Sequence, residues 1–382
     1  MGDRPTHVSV KINGADVKGT VVSVDVEDHD RLIDRARVVI DDPQQGYAHS
    51  LTENQAVVIE LGWEDEKSLL FRGVTTQPDT ESLGGTRQQV IVTAFDPSYL
   101  MNLRPAPDKA EHEGKLSEIV LAVVNRPVEP AHGITADANN VQLSADPKLK
   151  LVQPPNVRDW DFISRLAVEH GCRAFVEVDG SGKVQFYFVS EDKLLAAAPM
   201  GVLHFCSGFS EVLSFNYRRI ASAAIRTAVT AIDGAKSGEV VTGTSPGDQP
   251  TAEPKPSSET RANLGKTTGA TGAYDQAISA AKDQELKPEQ QVPQEFLSGL
   301  PSDPDLAARL LKRDPTRIIG LFGEGVAVGT VKLRAKGKVT IMGIAPWAEG
   351  DWYVARVNHI YTRSVQGKQD RSTYRTKFAV TR

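Results

Sequence analysis

The densest group of titratable side chains in the chain is Glu111-His112-Glu113. Carboxylate and imidazole are the donor types of zinc and acid–base sites, but a helical metal site needs a second histidine four residues on. Leu116 stands there instead, and no helical pattern runs through the triplet, so it reads as a solvated loop. Glu169-His170 falls at the end of a helical pattern, where an imidazole meets the last free carbonyls. The run Gly320 to Gly329 has the composition of a phosphate cradle. It lacks the Gly-Lys-Ser/Thr ending that supplies the lysine and the magnesium ligand, and it does not lead from a strand into a helix. Glycines at turns and close-packed strand edges account for it.

The aromatics Trp347, Trp352, Tyr353 and Tyr361 have the chemistry of a sugar or base platform. Alternation along a strand instead puts them in a core with one wet face. Among 49 acidic residues nothing marks a pair spaced for glycoside cleavage. A serine nucleophile on a Gly-x-Ser-x-Gly elbow is not expected either. The sequence is therefore read as that of a non-enzyme. No residue is assigned as catalytic, cofactor-binding or metal-ligating, and no cofactor is implied.

Composition sets the elements that would have to position any site. Of 382 residues, 40% are hydrophobic and 24% charged, enough for two or three domains with buried cores. Aromatics are only 6%, while 31 glycines and 22 prolines suit a turn-rich β protein. Collagen, a wholly disordered chain and a disulfide scaffold are excluded. The net charge of −5 gives no pull toward DNA, RNA or an anionic membrane, so specific nucleic-acid binding is not expected. Cys172 and Cys206 fit a reducing cytoplasm and read as buried free thiols, with a single bridge between them left open. No stretch approaches the ~20 apolar residues of a membrane span. The start MGDRPTHVSVKING lacks the apolar core of a signal peptide, so a soluble protein assembled in the cytoplasm, without membrane insertion, is expected.

The first hundred residues alternate with a period of two. Val8, Val10 and Ile12 share one face, as do Val22, Val24 and Val26, then Val57, Ile59, Leu61 and Trp63, then Ile91, Thr93 and Phe95. Short strands with one apolar face, separated by turn signals, predict a small antiparallel barrel or sandwich over 1–104. Beyond about 105 the period becomes helical at Leu116, Ile119, Val120 and Val123. A second helix has Asp159 at its N-cap, Phe162, Ile163, Leu166 and Ala167 as its stripe, and Gly171 at its stop. A hairpin follows, Phe175 to Val178 and Val184 to Phe188 around Asp179-Gly180-Ser181-Gly182. This is an α+β insert, 105–205.

Strand character resumes at Leu213, Phe215 and Tyr217, runs through Arg226 to Ile232, and then stops. Residues 237–301, rich in Gly, Pro, Ser, Thr, Gln and Glu, read as a flexible insertion. One helix is expected within it, around Tyr274 to Leu286, and another after it, with Pro304 in the first turn and Leu306, Leu310 and Leu311 on one side. Strands are expected at Val331 and Leu333, Val339 and Ile341, Val354 to Tyr361, and Tyr374 to Val380. Residues 206–236 and 302–382 then form a second β domain. The fold class is mainly β with an α+β insert, and two β domains of similar size hint at duplication.

Three stretches carry a family resemblance. VTAFDPSYLMNLRP (92–105) followed by KLSEIVLAVV (115–124) is similar to a strand ending in an aromatic-Asp turn, then a short helix. Val152 through Trp160, Asp161, Phe162, Leu166, Ala167 and Gly171 to Phe175 and Val176 resembles an S-D-W-D-F-L-x-R-L-A-x-x-x-G segment, with Ile163 where leucine is commoner. The ending Gly350-Asp351-Trp352-Tyr353-Val354-Ala355-Arg356-Val357-Asn358-His359, with Tyr374-Arg375-Thr376-Lys377-Phe378, is similar to a G-x-Y-x-V-x-x-V-x-H strand and its Tyr-x-Thr partner. Together they resemble the phage late control D family, the tail hub proteins of contractile phages, related to the hub portion of type VI secretion spike proteins. The resemblance spans nearly the whole chain except 237–301.

The resemblance implies two small antiparallel β-barrel domains of the tail-hub type, linked by the α+β portion, in a homotrimer. It implies a structural baseplate hub. Three copies with two similar barrels each would match a hexameric tail tube on one face and a trimeric spike on the other. Implied partners are the tube or tube-initiator protein, the trimeric spike, baseplate wedge and LysM-type adaptor proteins. The implied place is the baseplate of a phage tail or contractile injection particle. No spike-like β-helix or lysozyme domain follows residue 382, which suits a stand-alone hub with a separate spike. The alternatives are the hub of an extracellular contractile injection system or tailocin, and, from other classes, a tail-tip peptidoglycan hydrolase or a carbohydrate-binding module.

Overall fold

The computed structural model describes residues 5–17, 20–76, 78–83, 87–103, 110–127, 131–205, 211–219, 227–233, 239–244, 295–296, 321–346, 348–366 and 369–382. The first strands are β1 (Thr6–Ile12), β2 (Ala15–Asp16), β3 (Thr20–His29), β4 (Arg35–Asp41), β5 (Ala56–Trp63), β6 (Glu66–Thr75), β7 (Asp79–Leu83) and β8 (Arg87–Phe95). Two short helices accompany them, α1 (Gly46–Ser50) and α2 (Ser98–Met101). Then come β9 (Ala110–Lys115), α3 (Leu116–Val124), β10 (Ile134–Gln142), β11 (Lys148–Gln153), α4 (Asp159–Glu169), β12 (Cys172–Val178), β13 (Val184–Ser190) and α5 (Glu191–Ala196). The remaining described elements are strands: β14 (Val202–His204), β15 (Val212–Arg219), β16 (Thr227–Asp233), β17 (Glu239–Thr244) and β18 (Glu295–Phe296). The last strands are β19 (Leu321–Val328), β20 (Lys338–Met342), β21 (Gly350–Gln366) and β22 (Gln369–Thr381). The fold is mainly β, as the sequence predicts.

Two compact units divide the chain, and the larger holds residues 1–197 with 326–337 and 354–379. Its first sheet is antiparallel, in the order β21-β3-β4-β8-β6-β5-β1-β2. Val10 faces Ile59 across β1–β5, and Val24, Val38 and Val92 line up across β3, β4 and β8. These side chains are buried together with Val26, Ile40, Val57 and Leu61. Burying a valine or isoleucine is worth about 1.5–3 kcal/mol, so this apolar face holds the sheet in register.

Two faces differ from expectation. A register shift between Val21 and Ser23 breaks the alternation of β3, so Val21 rather than Val22 packs against the core. On β8 the core face is Val90, Val92 and Ala94, not Ile91, Thr93 and Phe95. Both phases of that strand carry apolar residues, so period alone does not choose between them.

The α+β portion has a core of its own. Leu116, Ile119, Val120, Val123 and Val124 of α3 pack with Trp160, Phe162, Ile163, Leu166 and Ala167 of α4 and with Phe186 and Phe188 of β13. β13 is antiparallel to β12 and parallel to β10. Asp159 is the first residue of α4 and Arg158 occupies the N-cap. The buried Asp159 carboxylate is drawn to Arg126 Nη1, 2.7 Å away, instead of the helix end. Gly171, at φ +63°, takes the left-handed conformation that stops the helix. In the hairpin turn, Asp179 accepts hydrogen bonds from the Ser181 amide and hydroxyl, the Lys183 amide and Gln185. Those bonds, from Ser181 above all, hold its carboxyl well below the usual range.

The second unit holds residues 198–325, 338–353 and 380–382. β14 runs parallel to β20, and β20 antiparallel to the start of β21, with Val339 opposite Trp352. The Trp352 ring is fully buried, edge-on to Phe215 at 5.6 Å, and Phe215 stacks on Tyr217. Strands do not stop at Ile232. β16 pairs antiparallel with β17 and parallel with β18, so the span read as a flexible insertion contributes strands at Glu239–Thr244 and Glu295–Phe296. Backbone pairing to a neighbouring strand supplies what the low hydrophobicity of that stretch does not. The expected helices at Tyr274 to Leu286 and at Pro304 to Leu311, and also Arg226, Cys206, Gly320 and Trp347, lie outside the described residues.

Val331 and Leu333 are not in a strand either. Residues 329–337 of the larger unit form an irregular crossing held by side chains. The guanidinium of Arg334 donates to the carbonyls of Leu70 and Leu69 at 3.0 and 3.1 Å.

Candidate functional site

The crossing 329–337 delivers a lysine into the protein. Lys336 has φ +67°, a left-handed conformation that costs a side-chain-bearing residue about 1–2 kcal/mol. Backbone bonds pin it there: Lys336 N–H donates to Val354 O at 2.9 Å, and Ala335 N–H donates to Asp28 Oδ2 at 3.0 Å. Its side chain is only 3% exposed. The ammonium stands 2.6 Å from Asp28 Oδ1 on β3, 3.0 Å from Asp34 Oδ2 in the β3–β4 turn and 2.9 Å from Glu177 Oε1 on β12. It also lies over the Phe175 ring, 5.3 Å from the centroid.

A further carboxylate backs the cluster. Asp96, after β8, accepts from the Asp34 amide at 2.6 Å and from the Ser98 amide at 2.7 Å. Burial pulls the Lys336 ammonium toward neutrality, but Asp28, Asp34 and Glu177 outweigh it and hold its pKa well above the usual value. Burial likewise opposes the Asp28 carboxylate, and Lys336 and Arg334 overcome it and keep its pKa low. Asp34 goes the other way. Burial pushes it well above the carboxylate range against the pull of Lys336, and the charges of Asp28, Glu177 and Asp96 add to the rise. Burial lifts Asp96 to about 6 in spite of its hydrogen bonds from Ser98.

Asp28, Asp34 and Glu177 bring carboxylate oxygens within 4.8 Å of one another, a spacing that suits a metal ion. Here a lysine ammonium already contacts all three. A lysine held protonated has no lone pair with which to attack, so the cluster is built to hold elements together rather than to react. Arg173 of β12 adds to the same junction, pairing with Glu191 and, at 3.4 Å, with Asp30.

A second buried constellation joins strands distant in sequence. Trp63 Nε1 donates to Gly329 O at 2.7 Å, and its ring meets Tyr374 edge-on at 5.7 Å. Gly329 has no room for a side chain, since an added Cβ would lie 2.1 Å from the Tyr374 ring. Gly329, just past the end of β19, is thus a close-packed glycine at a strand edge, as expected. Gly323 in β19 would likewise bring a Cβ to 2.6 Å from Phe215.

The sequence-marked groups do not converge. Glu111-His112-Glu113 is not a loop but lies in β9, paired with β11. Alternation turns His112 inward, stacked on Phe162 at 5.5 Å and 3.4 Å from Gln153 Oε1, while both glutamates are exposed. His170 caps α4 through its backbone N–H, which donates to Leu166 O. Trp352, Tyr353 and Tyr361 are buried, so they offer no platform. Cys172 is buried and its thiol is pushed up to about 12 by burial, which makes it inert. The letters Gly243-Thr244-Ser245-Pro246-Gly247 do match Gly-x-Ser-x-Gly, contrary to expectation. Gly243 and Thr244 end β17, and Ser245 to Gly247 lie outside the described residues. Sequence reading missed the Lys336 cluster. Its one local signal is a lysine before Gly337 in a turn.

No protein-family model and no curated protein sequence matches the chain. Solved structures do. A tail protein from Neisseria meningitidis MC58 superposes with TM-score 0.63 at 10% identity over 99% of this chain and 97% of its own. The 43 kDa tail protein of prophage MuSo2 from Shewanella oneidensis gives 0.64 at 10% identity over 99% and 98%. The E. coli c3393 protein, a component of the type VI secretion system, gives 0.55 at 12% identity over 97% of this chain and 76% of its own. The chain therefore has the fold of tail proteins. No described helix is long and apolar enough to cross a membrane.

Proposed function

We propose that this chain is the structural hub of a contractile-tail baseplate, a trimeric adaptor between a hexameric tail tube and a trimeric spike. The observation that carries the reading is the end-to-end likeness to two tail proteins, each covered over at least 97% of its length. A match that spans both units concerns the whole architecture, not a shared module. The interior agrees with a scaffold, because a lysine ammonium fills the place of a metal ion among Asp28, Asp34 and Glu177.

Symmetry supplies the mechanism. Two similar β domains per chain would give six lobes in a trimer. Strand edges on one side then meet sixfold neighbours, and the threefold arrangement receives the spike. Edge pairing also covers strands that would otherwise invite aggregation. Partners on this reading are the tube or tube-initiator protein, the spike, and baseplate wedge and LysM-type adaptor proteins. Assembly takes place in the bacterial cytoplasm, and the protein is not an enzyme.

The likeness to the type VI component favours a second reading within the same class, the hub of an injection system or tailocin. Capsid and terminase genes beside this one decide for a phage, and their absence for an injection particle. The adaptor role is tested by co-expressing the chain with the spike encoded beside it and weighing the product by light scattering after size exclusion. A three-to-three complex is expected. A stable monomer that ignores the spike contradicts the role, and clearing on a cell-wall zymogram contradicts the non-enzymatic reading.

A further inference from the structure

Charged and polar contacts tie the hairpin β12–β13 to the first sheet of its own unit and to the segments beside it. Glu177 reaches Lys336, Arg173 reaches Asp30, and the turn carbonyl of Gly182 accepts from Arg72 Nη1. The two ionic junctions differ in balance. At one, Arg173 and Arg31 face Asp30 and Glu191, two cations against two anions. At the other, Lys336 and Arg334 face Asp28, Asp34, Glu177 and Asp96, two cations against four carboxylates. His29 borders both, between Asp30, Glu27 and Arg356, and burial lowers its pKa against the pull of the two carboxylates. An unbalanced charge in a desolvated site repels itself, and protonation relieves the repulsion.

We propose that the docking of β12–β13 on the first sheet is a proton-controlled latch, tight when the surplus carboxylates around Lys336 are protonated and loose when all are ionised. The construction favours this over a plain salt bridge. The lysine's backbone is pinned in a left-handed conformation by its bond to Val354, and its ammonium is also held by Asp28 and Asp34. Glu177 is the sole carboxylate of the four that comes from the hairpin, so any opening removes one anion and lets water reach the other three.

The raised pKa values of Asp34 and Asp96 set the sign and the range. A carboxyl whose pKa is raised in the docked state contributes stability that is full below its ordinary pKa and is lost as the pH climbs through the raised one. The latch is therefore tighter in mildly acid solution than at alkaline pH. That is opposite to a simple ion pair between lysine and glutamate.

The test is hydrogen exchange of the full chain at about pH 5.5 and about pH 8.5, comparing protection of residues 172–190 with that of β4 and β8 as internal reference. Relative protection of the hairpin is expected to fall by about tenfold or more at the higher pH. Two isosteric variants separate the explanations. In Asp34→Asn and Glu177→Gln one surplus charge is gone while an acceptor for Lys336 remains. Both are expected to be more protected than the native chain at the higher pH, and Asp34→Asn to lose most of the pH response. A native chain whose relative protection does not change, an Asp34→Asn variant with the native slope, or variants less protected than the native chain at the higher pH each overturn the latch.

Discussion

His359 Nδ1 lies 2.8 Å from the hydroxyl oxygen of Tyr374, and both side chains are buried. Burial holds the Tyr374 phenol protonated. Burial also pushes the His359 pKa down to about 3, so the ring is neutral in the folded chain. Unfolding restores a value near 6.5. The folded state thus binds fewer protons between these values, and its stability falls as the pH drops through that window, by about 1.4 kcal/mol per unit. His359→Gln should be less stable than the native chain at neutral pH, with the gap closing as the pH is lowered from 6.5. Urea titrations at several pH values measure the gap, and a constant one contradicts the neutral buried ring.

Lys336→Met leaves three contacting carboxylates without their cation in a buried site. Breaking a buried pair in this way costs about 3–5 kcal/mol. A large fall in the urea midpoint of the larger unit is expected, and a loss under 1 kcal/mol would show the ammonium to be dispensable.

Trp160 is 6% exposed and packs edge-on to Phe186, 6.4 Å between ring centres. Trp160→Ala should therefore destabilise the α+β portion by about 3–5 kcal/mol. An unchanged melting temperature would place the indole outside that core.

Gly329→Ala drives a methyl into the Tyr374 ring, which is fixed between Trp63 and His359. Overpacking of this kind costs about 1–3 kcal/mol, and near-ultraviolet circular dichroism should report the displaced aromatics. A silent substitution would mean that the ring moves aside freely.

Much of this fold was legible in the sequence because its elements are patterned locally. Val10, Ile59 and Leu61 announce a one-sided strand by alternation, and Ile163, Leu166 and Ala167 announce a helix by spacing. Legibility failed where long-range partners decide. β8 is apolar in both phases, and only the neighbouring β4 selects Val92 over Ile91 for the core. Asp159 has the chemistry of a cap, yet Arg126 claims it. The Lys336 cluster was invisible for the same reason, since Asp28 lies 308 residues away along the chain and nothing in either neighbourhood names the other.

The adaptor reading stands or falls on symmetry, which end-on electron microscopy of the hub–spike complex measures directly. A threefold ring of six lobes, two from each chain, around a central opening is expected. A ring of any other order, or three lobes with the second β domain of each chain standing outside the ring, would contradict it.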